Sequence, residues 1–202
     1  MLYAKDFRQA ARQKLAGGWM MAVLCALVYS VLSGALQATV IGVVLLGGPF
    51  WWGYHSYWLA QIRWQKPGIG VLFDGLQKCF VNSIAVYLLQ GIFTFLWGLL
   101  FVIPGIVKGY SYAMAPYILA DHPDMDAIAV IDTSRNMMTG NKWRLFCLDM
   151  SFIGWHILCG LTMGIGYLWL SPYIACSRAQ FYEAVRTEYE MKTPVQQIIE
   201  EN

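Results

Sequence analysis

The feature that most limits how this chain can fold is the absence of charge over long stretches. No Lys, Arg, Asp or Glu occurs in the 46 residues from Gly17 to Ile62, in residues 79–107 or in residues 150–177. A helix that crosses the hydrocarbon core of a bilayer needs about 20 apolar residues. The stretches therefore predict membrane-spanning helices. A Gly or Pro break partway along each stretch predicts two passes per stretch, six in all.

The composition agrees with a membrane protein. Hydrophobic residues make up 58% of the 202 residues and charged residues only 13%, which is about half the charged fraction of a soluble domain. We expect one polytopic membrane domain over residues 1–188, a polar C-terminal tail over 189–202, and the lipid bilayer as the main partner. A net charge of +2 without a basic run argues against a nucleic-acid partner.

The six predicted helices of this all-α fold form three similar hairpins, as if one unit were repeated. The units run over about 3–63, 70–121 and 126–188, and each begins with a short amphipathic helix that is expected to lie along the membrane surface. Each unit also contains a Gly or Pro break, where a helix most easily stops or restarts. The predicted hairpin hinges are Gly48 and Pro49, Pro104 and Gly105, and Gly164 and Gly166.

Basic residues are distributed unevenly between the two ends of the predicted hairpins. Thirteen of the 14 Lys and Arg residues fall on the side that carries both termini, and only Lys108 falls near the breaks. By the positive-inside rule, the N- and C-termini then face the cytoplasm. Two roles remain open for Lys108: its ammonium group binds a lipid phosphate, or its aliphatic stem lets the charge extend to water.

Ionisable residues inside membrane spans are costly and mark candidate functional sites. Asp149 and Arg178 are expected to lie at similar depths in the last two predicted spans and to form an ion pair. The pair either clamps two helices together or belongs to a proton or ion relay that includes His156, two helical turns beyond Asp149 on the same face. His55 stands among Tyr and Trp residues, and its position is interpreted as aromatic packing.

Catalytic signatures do not accompany these polar residues. The sequence lacks G-x-S-x-G, H-E-x-x-H, a P-loop and G-x-G-x-x-G. Its three histidines are too widely spaced to share one helical face as metal ligands, and none of its five cysteines forms a C-x-x-C pair. The sequence therefore predicts a protein that is not an enzyme, with no metal and no cofactor.

Several short motifs follow one another in the second half of the chain. They are IPGIVK at 103–108, YSYAM at 110–114, YILADHP at 117–123, SFIGW at 151–155 and PY at 172–173. Together they resemble the family catalogued as domain of unknown function 975, which consists of bacterial integral membrane proteins. The resemblance implies a polytopic protein of the bacterial cytoplasmic membrane. Because no activity is assigned to that family, the resemblance transfers no catalytic residue.

Two functions remain open on the sequence. The first is a non-enzymatic protein that organises the bilayer or serves a membrane partner, with self-association through small residues such as Gly91, Gly98, Gly154 and Gly160. The second is a transporter or channel-like subunit for a small solute or peptide, with a site at the predicted polar cluster in the last two spans. A water-accessible cavity at that cluster favours transport, whereas dry packing favours the structural role.

Overall fold

The computed structural model describes residues 4–37, 40–63, 65, 67–162 and 164–200, with side chains except at 37, 40, 41, 44, 100, 102 and 192–200. Within these ranges the chain is helical and contains no strand, so the predicted all-α class is confirmed. The helices, in chain order, are α1 (Ala4–Leu15), α2 (Trp19–Gln37), α3 (Val40–Ile62), α4 (Val71–Lys78), α5 (Phe80–Leu100), α6 (Val102–Tyr112), α7 (Ala115–Asp121), α8 (Ala127–Met137), α9 (Lys142–Met150), α10 (Ile153–Leu161) and α11 (Tyr167–Glu200).

Three segments of the described chain, rather than the predicted six, are long and apolar enough to cross a membrane. They are Trp19–Leu36 in α2, Phe80–Leu99 in α5 and Lys142–Leu161 across α9 and α10. The remaining helices fall short for local reasons. The second half of α3 is rich in Trp, Tyr and polar residues, α6 and α7 have only 11 and 7 residues, and α11 carries many charges.

Helices α2 and α3 lie antiparallel. The ring of Tyr29 in α2 stacks on the ring of Tyr54 in α3, with centroids 4.1 Å apart. Gly18, just before α2, approaches the side chain of Gln61 near the end of α3. The start of one helix therefore lies beside the end of the other.

Helices α5 and α6 also lie antiparallel, and the chain reverses at Phe101, where the backbone is extended with φ −157° and ψ 139°. Gly105 then packs against Gly98, so closely that a Cβ on Gly105 would lie 2.6 Å from the Gly98 Cα atom. Pro104 is tolerated in the first turn of α6, where N–H groups have no intrahelical partner. Pro104 and Gly105 thus adjoin the reversal, and Gly105 provides a close contact.

The reversal between α10 and α11 lies at the predicted glycines. Gly164 has φ +90°, a left-handed conformation that L-residues with a Cβ rarely adopt. Gly166 packs against Cys159, and a Cβ there would lie 2.7 Å from the Cys159 Sγ atom. Gly164 thus permits the turn of the backbone, and Gly166 permits the close approach to Cys159.

Gly48 and Pro49 do not form a hinge, which corrects the sequence prediction. They lie inside α3, which continues through Pro49 without interruption. Gly48 lets α5 approach, because a Cβ there would lie 2.7 Å from the Ser83 carbonyl oxygen, and Gly75 of α4 packs onto the Pro49 carbonyl in a similar way. A Gly-Pro run resembles a local break, but here it makes room for neighbouring helices.

A short helix precedes each antiparallel pair, namely α1, α4 and α8. The apolar face of α1, formed by Phe7, Ala11 and Leu15, is buried, and Tyr3 of the same predicted face lies outside the described residues. Phe7 meets Phe181 of α11 edge to face, with ring centroids 5.3 Å apart. The amphipathic pattern of α1 is therefore present, but its apolar side contacts α11 instead of lipid. The equivalence of the three units as repeats stays a prediction.

Aromatic side chains form the centre of the core. Trp58 of α3 is fully buried, and Tyr117 of α7 stacks on Tyr182 of α11 with ring centroids 5.2 Å apart. These contacts join the second members of the predicted hairpins. The predicted tail at 189–202 continues α11 as helix to Glu200, and residues 201 and 202 lie outside the described range.

Candidate functional site: a polar cavity among the helices

The structure brings Asp149 of α9 and Arg178 of α11 into contact. Arg178 Nε donates to Asp149 Oδ1 at 3.1 Å, and Arg178 Nη2 donates to Oδ2 at 2.9 Å. The Tyr110 hydroxyl of α6 donates to the same Oδ2 at 3.1 Å. Asp149 is 14% exposed and Arg178 47%, so the carboxylate is enclosed while the guanidinium faces open space. Two-point pairing of this kind fixes both side chains.

The open space is a cavity of about 300 Å³, lined by the ion pair and by residues of α3, α5, α6 and α7. Trp51 and His55 come from α3, Gln90 comes from α5, and Leu145 lies one turn before Asp149 on α9. Small-molecule sites in proteins begin at about this volume. The arrangement is a polar chamber within an otherwise apolar set of helices.

Gln90 contributes an unsatisfied group to this cavity. Its Oε1 atom is buried and has no hydrogen-bond partner among the described residues. A buried acceptor without a donor costs about 1–3 kcal/mol. Gln90 stands at the centre of α5, one of the three helices long and apolar enough to span a membrane. Gln90 therefore brings a costly polar group into the middle of an apolar helix.

His55, which the sequence suggested was a packing residue, also lines the cavity. Its Nδ1–H donates to the Trp51 carbonyl oxygen at 2.7 Å, which leaves Nε2 as the acceptor of the neutral ring. The ring also meets Tyr117 edge to face, with centroids 4.9 Å apart. His55 therefore packs against aromatic rings and still presents a polar edge. The available signal in the sequence was the four-residue spacing of Trp51 and His55, which places both side chains on one helical face.

His156 is not part of this group. Its Nδ1 lies 3.2 Å from the hydroxyl of Tyr167, across the reversal between α10 and α11, and it does not line the cavity at Asp149. The face that Asp149 and His156 were expected to share is interrupted, because the helix breaks at Ser151 and Phe152. The predicted three-residue cluster is thus a pair, with His55 of α3 in the place expected for His156.

Lys108 lies beside an aromatic ring. Its Nζ atom is 4.7 Å from the centroid of the Trp97 ring, on the opposite arm of the α5/α6 pair. A cation over an indole is stabilised by the ring quadrupole. This contact fixes the position of the Lys108 side chain against α5. It does not test whether Lys108 binds a lipid phosphate or extends its charge to water.

A second charged cluster lies where α3, α7 and α11 meet, and the sequence patterns did not predict it. Arg63 donates to both oxygens of Asp121, at 2.7 and 3.1 Å, and also to Glu183 at 2.6 Å. Arg186 and the Tyr182 hydroxyl donate to Asp121 Oδ2 at 2.9 and 2.8 Å. One signal in the sequence could have indicated this cluster. Arg63 and Asp121 each directly follow an apolar helical segment, at the same end of two neighbouring predicted hairpins.

Asp121 is 7% exposed, and its environment favours the charged form. Burial alone would raise the pKa of Asp121, but the hydrogen bonds from Arg63 and Tyr182 and the charges of Arg63 and Arg186 outweigh it. The net result is a pKa below the ordinary value. The hydrogen-bonded groups come from three helices, so the cluster clamps the ends of those helices together.

Metal-binding groups are absent from the part of the chain that the structure describes: no three or more His, Cys, Asp or Glu residues there could hold an ion together. The five cysteines are free thiols, and four of them are buried.

The chain was compared with known proteins. Neither a curated protein nor a solved structure matches it. The model of a family described as "Protein of unknown function (DUF975)" matches residues 99–189, the part that contains α6 to α10, most of α11, and the Asp149–Arg178 pair. Over these residues, a little under half of its length, the chain is similar to the DUF975 family of proteins of unknown function.

Proposed function

We propose that this protein is a non-enzymatic, channel-like or transporting membrane protein that admits a small polar solute to the cavity at Asp149 and Arg178. The cavity carries the proposal. A structural ion pair needs no cavity beside it, and placing charged and amide groups in an apolar environment is costly. Of the two functions left open by the sequence, this geometry favours the second.

The chemistry of the lining suggests the class of solute. Asp149 and Arg178 neutralise each other, so the cavity has no strong preference for a cation or an anion. Gln90 Oε1 lacks a donor among the described residues, and His55 presents a ring acceptor. A neutral or zwitterionic solute with hydrogen-bond donors, within about 300 Å³, fits these groups best.

In the membrane arrangement that goes with this function, the three long apolar segments in α2, α5 and α9–α10 cross the bacterial cytoplasmic membrane. Their partners α3, α6 and α11 return the chain toward its starting side, and both termini lie in the cytoplasm. The antiparallel pairs α2/α3, α5/α6 and α10/α11 support this arrangement, since each pair enters and leaves on one side. Arg63, Arg144 and Arg186 lie at the ends away from the reversals at Phe101 and Gly164, as the positive-inside rule requires of a cytoplasmic side. The cavity then lies near the middle of the helices, where transporters bind their solutes.

Self-association is the competing function. Gly105 packs against the backbone of Gly98, but a Cβ added to Gly98 would itself have no heavy atom within 4 Å. The same holds for Gly91, Gly154 and Gly160. The free sides of these four glycines accept a second helix as readily as they accept lipid. This observation favours no particular partner, and a solute-entry experiment separates the two functions.

The test is solute entry into vesicles that contain the purified protein. Proteoliposomes are exposed to isosmotic glycerol, urea or glycine, and re-swelling is followed by light scattering, with proton entry followed by an internal pH dye. We expect entry of at least one of these probes to be faster than in protein-free vesicles. Gln90→Leu, which fills the cavity with apolar atoms and adds no charge, should slow that entry at least fivefold.

The matched control is an ion pair outside the cavity. Asp132 and Arg135 of α8 form an exposed i,i+3 pair at 3.1 Å, so Asp132→Asn should leave solute entry unchanged, while Asp149→Asn should reduce it. If wild-type vesicles re-swell no faster than protein-free vesicles for every probe and admit no protons, the proposal is wrong. Equal rates in wild type and a correctly folded Gln90→Leu variant would also contradict it.

A further inference from the structure

A second crevice lies between α1 and the α10/α11 pair, and it shares no lining residue with the cavity at Asp149. It has two compartments, with volumes of about 600 and 360 Å³. Arg12, Trp155 and Tyr173 line both compartments, so the two are continuous. The larger compartment lies along α1, and the smaller follows α10 and α11 toward their reversal at Gly166.

The larger compartment is basic. Lys5, Arg8 and Arg12 line it from one face of α1, three and four residues apart as one helical face requires. The opposite face of α1 is the one packed on α11. No Asp or Glu is among the residues that line either compartment in the described chain, so the positive charge faces the space without a lining counter-ion.

Two hydrogen bonds hold Arg8 in place, but one N–H group of its guanidinium has no partner among the described residues. Its Nη1 donates to the Ser151 carbonyl oxygen at 3.2 Å, and its own carbonyl oxygen accepts a hydrogen bond from the Tyr173 hydroxyl at 3.2 Å. The Arg8 Nε atom is buried and has no partner among the described residues. Arg12 lies with its guanidinium 5.9 Å from the centroid of the Tyr173 ring. Two positioned guanidinium groups thus flank the junction of the compartments.

The smaller compartment is apolar. Trp19, Leu158, Trp169 and Leu170 line it, and Leu158 and Trp169 are each 54% exposed. Leu158 belongs to the segment Lys142–Leu161, which is long and apolar enough to span a membrane. The smaller compartment is therefore continuous with the exposed apolar surface of the segment Lys142–Leu161.

We infer that this crevice binds an anionic glycerophospholipid of the surrounding bilayer. The phosphate lies against Arg8 and Arg12, with Lys5 nearby, because guanidinium groups pair with phosphate oxygens in two-point geometry. One acyl chain follows Leu158 and Trp169 toward the reversal. Charge at one end and apolar lining at the other match the two parts of a phospholipid, and a soluble anion would leave the apolar compartment unfilled.

Binding is measured by native mass spectrometry of the delipidated full-length protein in detergent, titrated with phosphatidylglycerol or phosphatidylcholine of equal chain length. We expect phosphatidylglycerol to bind at least fivefold more tightly. Arg12→Gln should reduce the affinity for phosphatidylglycerol about fivefold, the value of one basic residue against an anionic headgroup. Arg8→Gln serves as a second variant. Lys78→Gln, an exposed residue of α4 paired with Asp74, is the control and should change nothing.

The apolar compartment is tested separately. Trp169→Ala should weaken phosphatidylglycerol binding and leave the affinity for water-soluble glycerol 3-phosphate unchanged. If glycerol 3-phosphate displaces phosphatidylglycerol at equal concentration, the site belongs to a soluble anion and the inference is wrong. Equal affinities for the two lipids, or an unchanged affinity in a folded Arg12→Gln variant, would overturn it as well. None of these measurements depends on solute entry through the cavity at Asp149.

Discussion

One guanidinium group, that of Arg63, holds both carboxylate oxygens of Asp121, although the two residues are 58 positions apart in the chain. The contact joins the end of α3 to the end of α7, and Arg186 joins α11 to the same carboxylate. Because the three helices come from all three predicted hairpins, this single carboxylate fixes how the hairpins are arranged around one another.

Replacement of Asp121 by Asn should therefore destabilise the protein. Removing one partner of a fully buried ion pair costs roughly 3–5 kcal/mol. Here Arg63 and Arg186 remain about one-third exposed and are partly resolvated, so we expect a loss of about 2 kcal/mol. The melting temperature in detergent measures the change. Asp132→Asn, at an exposed ion pair, is the control and should lower the melting temperature much less.

The same carboxylate predicts a pH dependence. The pKa of Asp121 lies below its ordinary value of 3.8, so its stabilising contribution is present above that pH and is lost as the pH falls through the lower folded-state pKa. Denaturation in detergent between pH 7 and pH 3 should show a steeper loss of stability at the acid end for the wild type than for Asp121→Asn. Parallel curves for the two proteins would exclude Asp121 as a source of the acid sensitivity.

Helix packing at α3 and α4 depends on two glycines. A Cβ on Gly53 would meet the Leu72 carbonyl, and one on Gly75 would meet the Pro49 carbonyl. Since both neighbours are backbone atoms, either substitution requires a shift of the backbone of α3 or α4. We expect Gly53→Ala and Gly75→Ala each to cost more than about 2 kcal/mol, in the range of overpacked cores. Gly34→Ala, in α2 with open space around it, should be neutral or raise stability by up to about 1 kcal/mol.

The reversal between α10 and α11 offers a second matched pair of substitutions. Gly164 has φ +90°, and an alanine there costs about 1–2 kcal/mol for a left-handed conformation. Gly160→Ala lies one turn earlier, in α10 with nothing within 4 Å of its Cβ position, and should not destabilise the protein. If Gly160→Ala has a lower melting temperature than Gly164→Ala, the reversal does not depend on the conformation of Gly164.

The two histidines should behave differently in the solute-entry assay. His55 lines the cavity at Asp149, whereas His156 lies beside Tyr167 outside it. We expect His55→Leu to reduce solute entry severalfold and His156→Leu to leave it unchanged. The reverse result would favour a relay between Asp149 and His156, and the melting temperatures of both variants show whether each is folded.

Local sequence patterns were sufficient for much of the fold. Uncharged stretches predicted apolar helices, and the glycines at 105, 164 and 166 lie at or beside two chain reversals, since a positive φ or a close contact needs glycine whatever the partner is. The pairing of Asp149 with Arg178 could also be anticipated, because the two residues were expected at similar depths in the last two predicted spans. The same reasoning failed at Gly48 and Pro49, where the glycine serves a neighbouring helix.

By itself, then, the sequence determined where helices form and which residues are too polar for an apolar environment, because hydropathy and backbone freedom are properties of each residue and its near neighbours. Only the tertiary structure decided which helices meet and what lies between them. It put His55 and Gln90 into the chamber at Asp149, assigned His156 to Tyr167, and gathered Arg63, Asp121 and Arg186 at one point. Contacts of this kind depend on the packing of helices far apart in the chain, which no local pattern records.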